Sequence, residues 1–391
     1  MEQKLVALSG NEAVAYAFKQ AKPHVAAAFP ITPQTEMMHK YAEFVANGQS
    51  STEMILVESE HSAMSAAVGS AAAGARTFTA TSSAGFALMW EVVYIAASLR
   101  LPICMALVNR ALSGNINIHC DHSDSMGGRD AGWIHLFAEN AQEAYDNSIM
   151  AWRIAEHMDV RLPTMVNYDG FIISHTADAL KMLNDDAAYD FIGDYKAAYT
   201  LLDPENPITV GPLDLTDYYF EHKASQLEAY ERVPGIVASV SEEYGKLTGR
   251  HYDLCEEYKM DDADMVMVML GSSAGTAKDV IDEYREKGVK VGLLKIRMFR
   301  PFPVQLIAEK LAGRKAVCVL DRSASFGGQG GPLYMETRSA MYGQKVPMHG
   351  YIYGLGGRDF DLHQVRTVIE NLKKQASGKE MQDVSLLGVR S

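Results

Sequence analysis

The sequence has few cysteines, no long apolar run and no block of positive charge. Its four cysteines, Cys104, Cys120, Cys255 and Cys318, form no Cys-x-x-Cys pair, so this chain alone offers neither a zinc ribbon nor an iron–sulfur cluster. If the protein moves electrons, another subunit carries the clusters. No apolar stretch reaches the roughly 18 residues of a spanning helix, and the opening Met1-Glu2-Gln3-Lys4 lacks the basic region and apolar core of an export signal. A cytoplasmic protein without membrane association is expected. Lys and Arg never run longer than two, and 36 of them face 49 Asp and Glu for a formal charge of −13, which argues against a nucleic-acid partner.

What is present is an ordinary globular composition, 48% hydrophobic and 22% charged over 391 residues, a length that predicts two or three domains. Up to about residue 170, short apolar runs at 25–29, 54–57, 77–81, 102–109 and 164–167 alternate with helical stretches at 11–21, 34–46, 61–74, 86–99 and 139–158. Apolar runs that do not alternate with polar residues are strands buried on both faces, so a parallel sheet covered by helices is predicted. Residues 172–260 hold nine of the nineteen tyrosines and no such alternation; they read as a helical and irregular extension that wraps the first domain. The acidic run Glu256, Glu257, Asp261, Asp262 and Asp264 reads as a solvated connection. A second series follows, with strands at 265–270, 289–296, 316–320 and 348–353 and helices between them. The prediction is α/β with two parallel-sheet domains, 1–250 and 263–391, joined by a linker at 251–262, and a polar, mobile tail after Gln375.

Several positions have the residue types that chemistry needs. In Phe29-Pro-Ile-Thr-Pro33 a strand ends and a helix is expected, with Thr32 at the N-cap and Pro33 at the first helical position. The same place is the carboxyl edge of a parallel sheet, where α/β proteins bind ligands, and the Thr32 hydroxyl is available there. Glu58 and Glu60 open a helix built almost wholly of small residues, which lets another backbone or a flat cofactor approach. Either carboxylate is favoured by the helix dipole; a partly desolvated one could exchange a proton with a bound heterocycle. Arg110 closes the most apolar strand, and its planar fork suits a carboxylate, whether of a substrate or of a structural partner. The run His119-Cys120-Asp121-His122-Ser123-Asp124 has ligand-type side chains without a framework to fix a metal, so a polar loop over the crevice is expected and no metal site. Gly271-Ser272-Ser273-Ala274-Gly275 fits a nucleophile elbow, with Asp321 and His349 or His363 downstream. Phe326-Gly327-Gly328-Gln329-Gly330-Gly331 could cradle a phosphate at the following helix.

Taken together, Phe29-Pro-Ile-Thr-Pro33, Val57-Glu-Ser-Glu-His61, Thr81-Ser-Ser-Ala-Gly85, Val108-Asn-Arg-Ala-Leu-Ser113, residues 117–124, Arg129-Asp130 and Arg300-Pro-Phe-Pro303 resemble the α subunits of the pyruvate:ferredoxin oxidoreductases, among the thiamine-diphosphate-dependent 2-oxoacid:ferredoxin oxidoreductases. The resemblance implies a pyrimidine-binding domain followed by a transketolase C-terminal-like domain. It implies that Glu60 hydrogen-bonds the aminopyrimidine ring and promotes the imino tautomer that deprotonates the thiazolium carbon. Arg110 would clamp the substrate carboxylate and Thr32 would hydrogen-bond the substrate, with Asn115 beside it; Ser83 and Gly85 would contact the cofactor. The implied reaction, one of anaerobic metabolism, converts pyruvate and coenzyme A to acetyl-CoA and carbon dioxide, reversibly. Electrons would pass singly through [4Fe-4S] clusters on partner subunits to ferredoxin or flavodoxin.

The diphosphate signature of thiamine enzymes, Gly-Asp-Gly followed by an Asn, is absent; Gly193-Asp194-Tyr195 is the nearest approach. The magnesium–diphosphate half is therefore expected on a partner, in a complex with β-, γ- and δ-type subunits. Keeping both the Ile31-Thr32 and Asn-Arg-Ala-Leu-Ser patterns favours pyruvate over 2-oxoisovalerate, 2-oxoglutarate or oxalate, the last needing a second cation. Two other classes compete with this reading: a serine hydrolase using Ser273, and a noncatalytic scaffold with a thiamine-type fold.

Overall fold

Runs of apolar residues too short for helices and buried on both sides can only be satisfied in the middle of parallel sheets. The computed structural model describes residues 3–390, and its largest sheet has seven strands in the order Met298–Arg300, Ile134–Phe137, Thr164–Asp169, Cys104–Asn109, Thr77–Thr81, Val25–Ala28 and Glu53–Leu56. Six run parallel, and the edge strand Met298–Arg300 runs antiparallel to Ile134–Phe137. Every residue of the three central strands from Thr77, Cys104 and Thr164 is buried. Helices Gly10–Gln20, Thr35–Ala46 and Ala141–Glu156 cover one face around Phe18, Tyr41, Phe78 and Trp152. Glu60–Ala72 and Trp90–Ser98 cover the other around Met64, Val93, Met105 and Trp133.

A second sheet of six strands has the order Val384–Leu387, Met348–Tyr353, Ala316–Asp321, Met265–Met269, Val291–Ile296 and Cys255–Tyr258, the last antiparallel. A two-stranded ribbon pairs Gln3–Ser9 with Ala177–Leu183. The tyrosine-rich extension supplies the helices Asp185–Ile192 and Tyr219–Thr248, and the second packs Val233, Val237 and Tyr244 into the first core. Among the described residues no helix is long and apolar enough to cross a membrane.

Three local expectations change. The tail after Gln375 is not a loose end: Val384–Leu387 adds a parallel strand beside Met348–Tyr353. Residues 251–262, expected as a linker, contain the edge strand Cys255–Tyr258, and three of their acidic side chains are paired rather than merely solvated. Glu256 reaches Lys278 at 2.6 Å and also Lys295, Glu257 reaches Lys310 at 2.8 Å, and Asp262 reaches Arg285 at 2.6 Å. Two glutamates and a short span mask such a strand in the sequence, because edge strands tolerate charge that central ones do not. Thr32 caps no helix; the helix begins at Thr35, after Gln34, which makes no side-chain cap.

The two large sheets are joined at their carboxyl ends by a buried polar cluster. Asp169, the last residue of its strand, accepts from His122 Nε2 at 2.7 Å, Ser272 Oγ at 2.5 Å, Ser272 N–H at 3.1 Å and Arg322 Nη1 at 2.9 Å. Ser272 and Arg322 follow strands of the second sheet. Burial pushes the Asp169 carboxyl up, but His122, Arg322 and Ser272 more than offset it and hold the group well below the usual carboxylate range. A second tie is Lys295, which meets Glu139 and Glu143 of the first domain at 2.5 and 2.6 Å. Replacing Asp169 by Ala strands Arg322 in a site where it is 3% exposed, so the variant should lose about 3–5 kcal/mol in denaturant unfolding. Because the folded pKa is depressed, this contribution is complete above the ordinary carboxylate pKa of about 3.9 and is lost only as pH falls below it. A variant with the wild-type unfolding midpoint at neutral pH would show that the cluster contributes nothing.

Candidate active site

The strands Val25–Ala28, Thr77–Thr81 and Cys104–Asn109 end along one edge, and the turns that follow bring Thr32, residues 81–85 and Arg110 together. Arg110 is 7% exposed. Its Nε donates to the carbonyl of Asn117 at 2.9 Å and its Nη1 to the carbonyl of Thr32 at 2.8 Å. Two neutral carbonyls orient the guanidinium without cancelling its charge, and Nη2 has no partner among the described residues. Among the described residues the structural alternative, a salt bridge from the Arg110 side chain, is not formed.

Asp124 organises the same edge. Its carboxylate accepts the backbone N–H of Ser83 and of Arg110, both at 3.0 Å, the amide of Asn109 at 3.0 Å and the N–H of Ser125 at 2.7 Å. Burial nevertheless raises its pKa to about 6, against the opposing pull of those hydrogen bonds. Ser83 sits in the left-handed region at φ 48°, and its Oγ donates to the Ala111 carbonyl at 2.5 Å. This unfavourable backbone is held from both ends, by Asp124 and by Ala111.

Glu60 begins the small-residue helix, whose N-cap Ser59 accepts from Ser62 N–H at 3.2 Å. It is 7% exposed, yet among the described residues no donor reaches its carboxylate. Gly85 makes room for it: a Cβ there would lie 2.6 Å from Glu60 Oε1 and 2.5 Å from Thr81 Oγ1. The hydroxyls of Thr81 and Ser82 are buried without partners beside this turn. A desolvated carboxylate and orphaned hydroxyls around a glycine fit a ligand that brings its own hydrogen-bonding groups. Glu58, by contrast, is exposed, and the hydrogen bond from Ser62 lowers its pKa; it is the solvated one of the pair. Thr32 is exposed at the edge, and its carbonyl serves Arg110. Asn115 lies on an exposed stretch that includes Ser113, Gly114 and Ile116.

The 119–124 run is not a loose cover over the crevice. Asp121, His122 and Asp124 are buried, and the segment docks on the second domain. Gly356 N–H donates to Asp121 at 3.0 Å, its carbonyl accepts from Asn117 Nδ2 at 2.9 Å, and the Arg322 carbonyl accepts the His122 N–H at 2.8 Å. The second domain thus holds Asn117, whose carbonyl orients Arg110. Side chains of Cys120, His122 and Asp169 do converge, but Asp169 is already committed to His122, Ser272 and Arg322.

The hydrolase and phosphate-cradle motifs are structural. Asp321 hydrogen-bonds no histidine among the described residues; it accepts the N–H of Leu333 at 2.7 Å and of Tyr334 at 2.9 Å, at the start of the helix Pro332–Ala340. The same contacts occupy the N-terminus that residues 326–331 would need for a phosphate. His349 Nδ1 is spent on the Gln382 carbonyl, and His363 is exposed on the helix Leu362–Ala376. Among the described residues no Ser–His–Asp geometry forms around Ser273.

Sequence reasoning missed Asp124, Asn117 and Gly356 as positioning groups. Asp124 was in view only as one carboxylate in a metal-like run; that all its neighbours are N–H donors is visible only when two strand ends and a helix start meet. Asp124→Asn is the sharpest check, because either orientation of the amide puts its NH2 against two of the four N–H donors. Each unsatisfied buried donor costs about 1–3 kcal/mol, so the unfolding midpoint should fall clearly. A midpoint equal to wild type would show that the four bonds carry no stability.

Comparisons with known proteins give the family of the chain. A family described as pyruvate flavodoxin/ferredoxin oxidoreductase, thiamine-diphosphate-binding, matches residues 16–242, and one described as pyruvate:ferredoxin oxidoreductase core domain II matches residues 263–365. The chain is 58% identical over 368 residues to pyruvate synthase subunit PorA of Thermotoga maritima, covering 94% of each. It is 47% identical to the PorA subunit of Methanocaldococcus jannaschii, covering 94% of each, and 45% identical to ketoisovalerate oxidoreductase subunit VorA of Pyrococcus horikoshii, covering 95% of each. Among solved structures, the 2-oxoglutarate:ferredoxin oxidoreductase of Magnetococcus marinus shares the fold with a TM-score of 0.76 at 20% identity, over 95% of this chain and 65% of that one. The chain belongs to the pyruvate flavodoxin/ferredoxin oxidoreductase family, with that family's thiamine-diphosphate-binding domain at residues 16–242.

Proposed function

We propose that this chain is the α subunit of a pyruvate:ferredoxin oxidoreductase, a cytoplasmic multisubunit enzyme that converts pyruvate and coenzyme A to acetyl-CoA and carbon dioxide. In this reading residues 1–250 are the pyrimidine-binding domain and 263–391 the transketolase C-terminal-like domain. The observation that carries it is the buried, donor-free carboxylate of Glu60 at the mouth of the glycine-spaced 81–85 turn, on the same edge as an arginine oriented by carbonyls. Thiamine diphosphate, when bound, supplies the nucleophilic carbon and the electron sink for decarboxylation.

Each residue of this chain then has a defined task. Glu60 accepts a hydrogen bond from the cofactor's pyrimidine ring and keeps that ring in the protonation state that lets it take a proton. Gly85 admits the ring to Glu60, and Ser83 fixes the turn through Asp124. Arg110 offers Nη2 to the substrate carboxylate, with Thr32 and Asn115 lining its approach. Desolvation makes both interactions stronger than they would be in water.

Half the cofactor has no partner on this chain, since the sequence lacks the diphosphate signature. The exposed Leu88, Trp90, Tyr94 and Ile95, beside the small-residue helix, form the kind of apolar surface that a subunit covers. Partner subunits would supply magnesium, the diphosphate pocket, the [4Fe-4S] clusters and the path to ferredoxin or flavodoxin. The 58% identity to a pyruvate synthase subunit supports pyruvate over 2-oxoisovalerate.

Anaerobic viologen reduction by the complex purified around this chain, with pyruvate, 2-oxoisovalerate and coenzyme A varied in turn, tests the reading. Activity should require coenzyme A and prefer pyruvate. Glu60→Gln should lower kcat by about 100-fold or more. Arg110→Lys should raise the pyruvate KM at least about tenfold, the loss of roughly 1.4 kcal/mol of fork geometry. Ser273→Ala should leave the rate within about twofold, as expected of a residue outside the site. Full activity of Glu60→Gln would contradict the assignment.

A further inference from the structure

On the far side of the first domain a cleft of about 970 Å³ opens between residues 98–101, 158–161, 208–214 and the start of the helix Tyr219–Thr248. It shares no residue with the edge that holds Glu60 and Arg110. Its charge is unusual for a chain with a net −13. Arg232 is paired with Glu228 at 2.7 Å and His222 with Asp214. Arg100, Arg161 and Lys223 line the same cleft and, among the described residues, have no carboxylate partner. Lys223 donates to the Ser98 hydroxyl at 2.5 Å, and the Arg161 guanidinium lies 4.7 Å over the Tyr199 ring. Arg100 gives Nη2 to the Val160 carbonyl, while its Nε is buried with no acceptor among the described residues.

The backbone adds a second, independent sign. Arg100 and Arg161 both occupy the left-handed region, at φ 54° and 47°. Arg100 stands just past the helix Trp90–Ser98, where glycine is the usual occupant. A helix C-terminus favours one cation through its dipole, but that accounts neither for an unpaired buried donor nor for a second strained arginine at the same cleft. Burial, and after it the neighbouring charges of Arg161 and Arg232, push Arg100 down from its ordinary value, against a smaller opposing pull from Glu228, which is itself paired with Arg232. Leu99, Leu101, Ile208, Val210 and Pro212 supply apolar walls.

We propose that this cleft is a binding site for a phosphorylated small molecule with a flat ring, its phosphate taken by Arg100, Arg161 and Lys223 and its ring by Tyr199 and the apolar walls. Unpaired guanidiniums are matched to phosphate oxygens in geometry and charge, and the volume is that of a small-molecule pocket. The site is separate from the reaction edge, so its occupant acts as an effector or a stabilising ligand.

The test is calorimetric titration of the intact multisubunit complex without added thiamine diphosphate or coenzyme A, with ADP as the probe, inorganic pyrophosphate as the ringless control, and the Arg161→Gln complex as the measure of any ADP bound at the sites of other ligands. ADP should bind, at least tenfold more tightly than pyrophosphate. Arg161→Gln should weaken ADP at least tenfold, Arg161→Lys should recover part of that loss, and both variants should keep the wild-type pyruvate turnover. Binding of neither probe, equal binding of both, or unchanged ADP affinity in Arg161→Gln would each overturn the proposal.

Discussion

The carboxylate of Asp169 is the point on which the arrangement of the two domains turns. It ends a central strand of one sheet and gathers His122 from its own domain with Ser272 and Arg322 from the other. Buried ion clusters add little net stability compared with a well-packed apolar core, but they tolerate only one geometry, since a shifted domain would leave charge unpaired in a low dielectric. That intolerance is what the active edge uses. The same His122 belongs to the segment in which Asn117 and Asp124 hold Arg110 and Ser83, while Asp121 docks on Gly356. Gly356 of the second domain fixes Asn117, and Asn117 fixes Arg110.

In the proposed reading the chain supplies half of a site, each of whose residues is held by named contacts. Arg110 is directed by carbonyls that do not neutralise it. Ser83 is held in a strained backbone by Asp124 and Ala111. Glu60 is buried next to a glycine without any donor of its own. A buried carboxyl group without a donor is costly in the folded chain, and in the proposed reading a bound ring with a complementary proton removes that cost. The absence of a diphosphate signature in the sequence is consistent with that incompleteness.

Much of this was readable from the residues, for reasons that differ by element. The central strands were plain because burial on both faces leaves an uninterrupted apolar run, as in residues 104–108. Arg110 stood out because it closes the most apolar strand, and Glu60 because it opens a helix built of small residues. The strands Cys255–Tyr258 and Val384–Leu387 were hidden because a four-residue edge strand need not look apolar. Thr32 was expected to cap a helix that starts three residues later, its hydroxyl at the edge and its carbonyl taken by Arg110. The Gly-x-Ser-x-Gly and glycine-rich turns misled because a strand-to-helix turn needs small residues whatever its function; only the burial of Asp321 under the Leu333 and Tyr334 N–H groups shows that the second of them is closed. Contacts between Gly356 and Asn117 span 239 positions, a pairing that no local pattern announces.

The central claim is that Glu60 acts on a cofactor completed by a partner subunit. It is tested most directly by the rate at which the C2 proton of thiamine diphosphate exchanges with deuterium, followed by NMR after acid quench. Three samples suffice: the assembled complex, the complex carrying Glu60→Gln, and this chain alone. The account predicts fast exchange in the first, a loss of about 100-fold or more in the second, and the rate of free cofactor in the third. Wild-type exchange in the Glu60→Gln complex, or accelerated exchange by this chain alone, would contradict it.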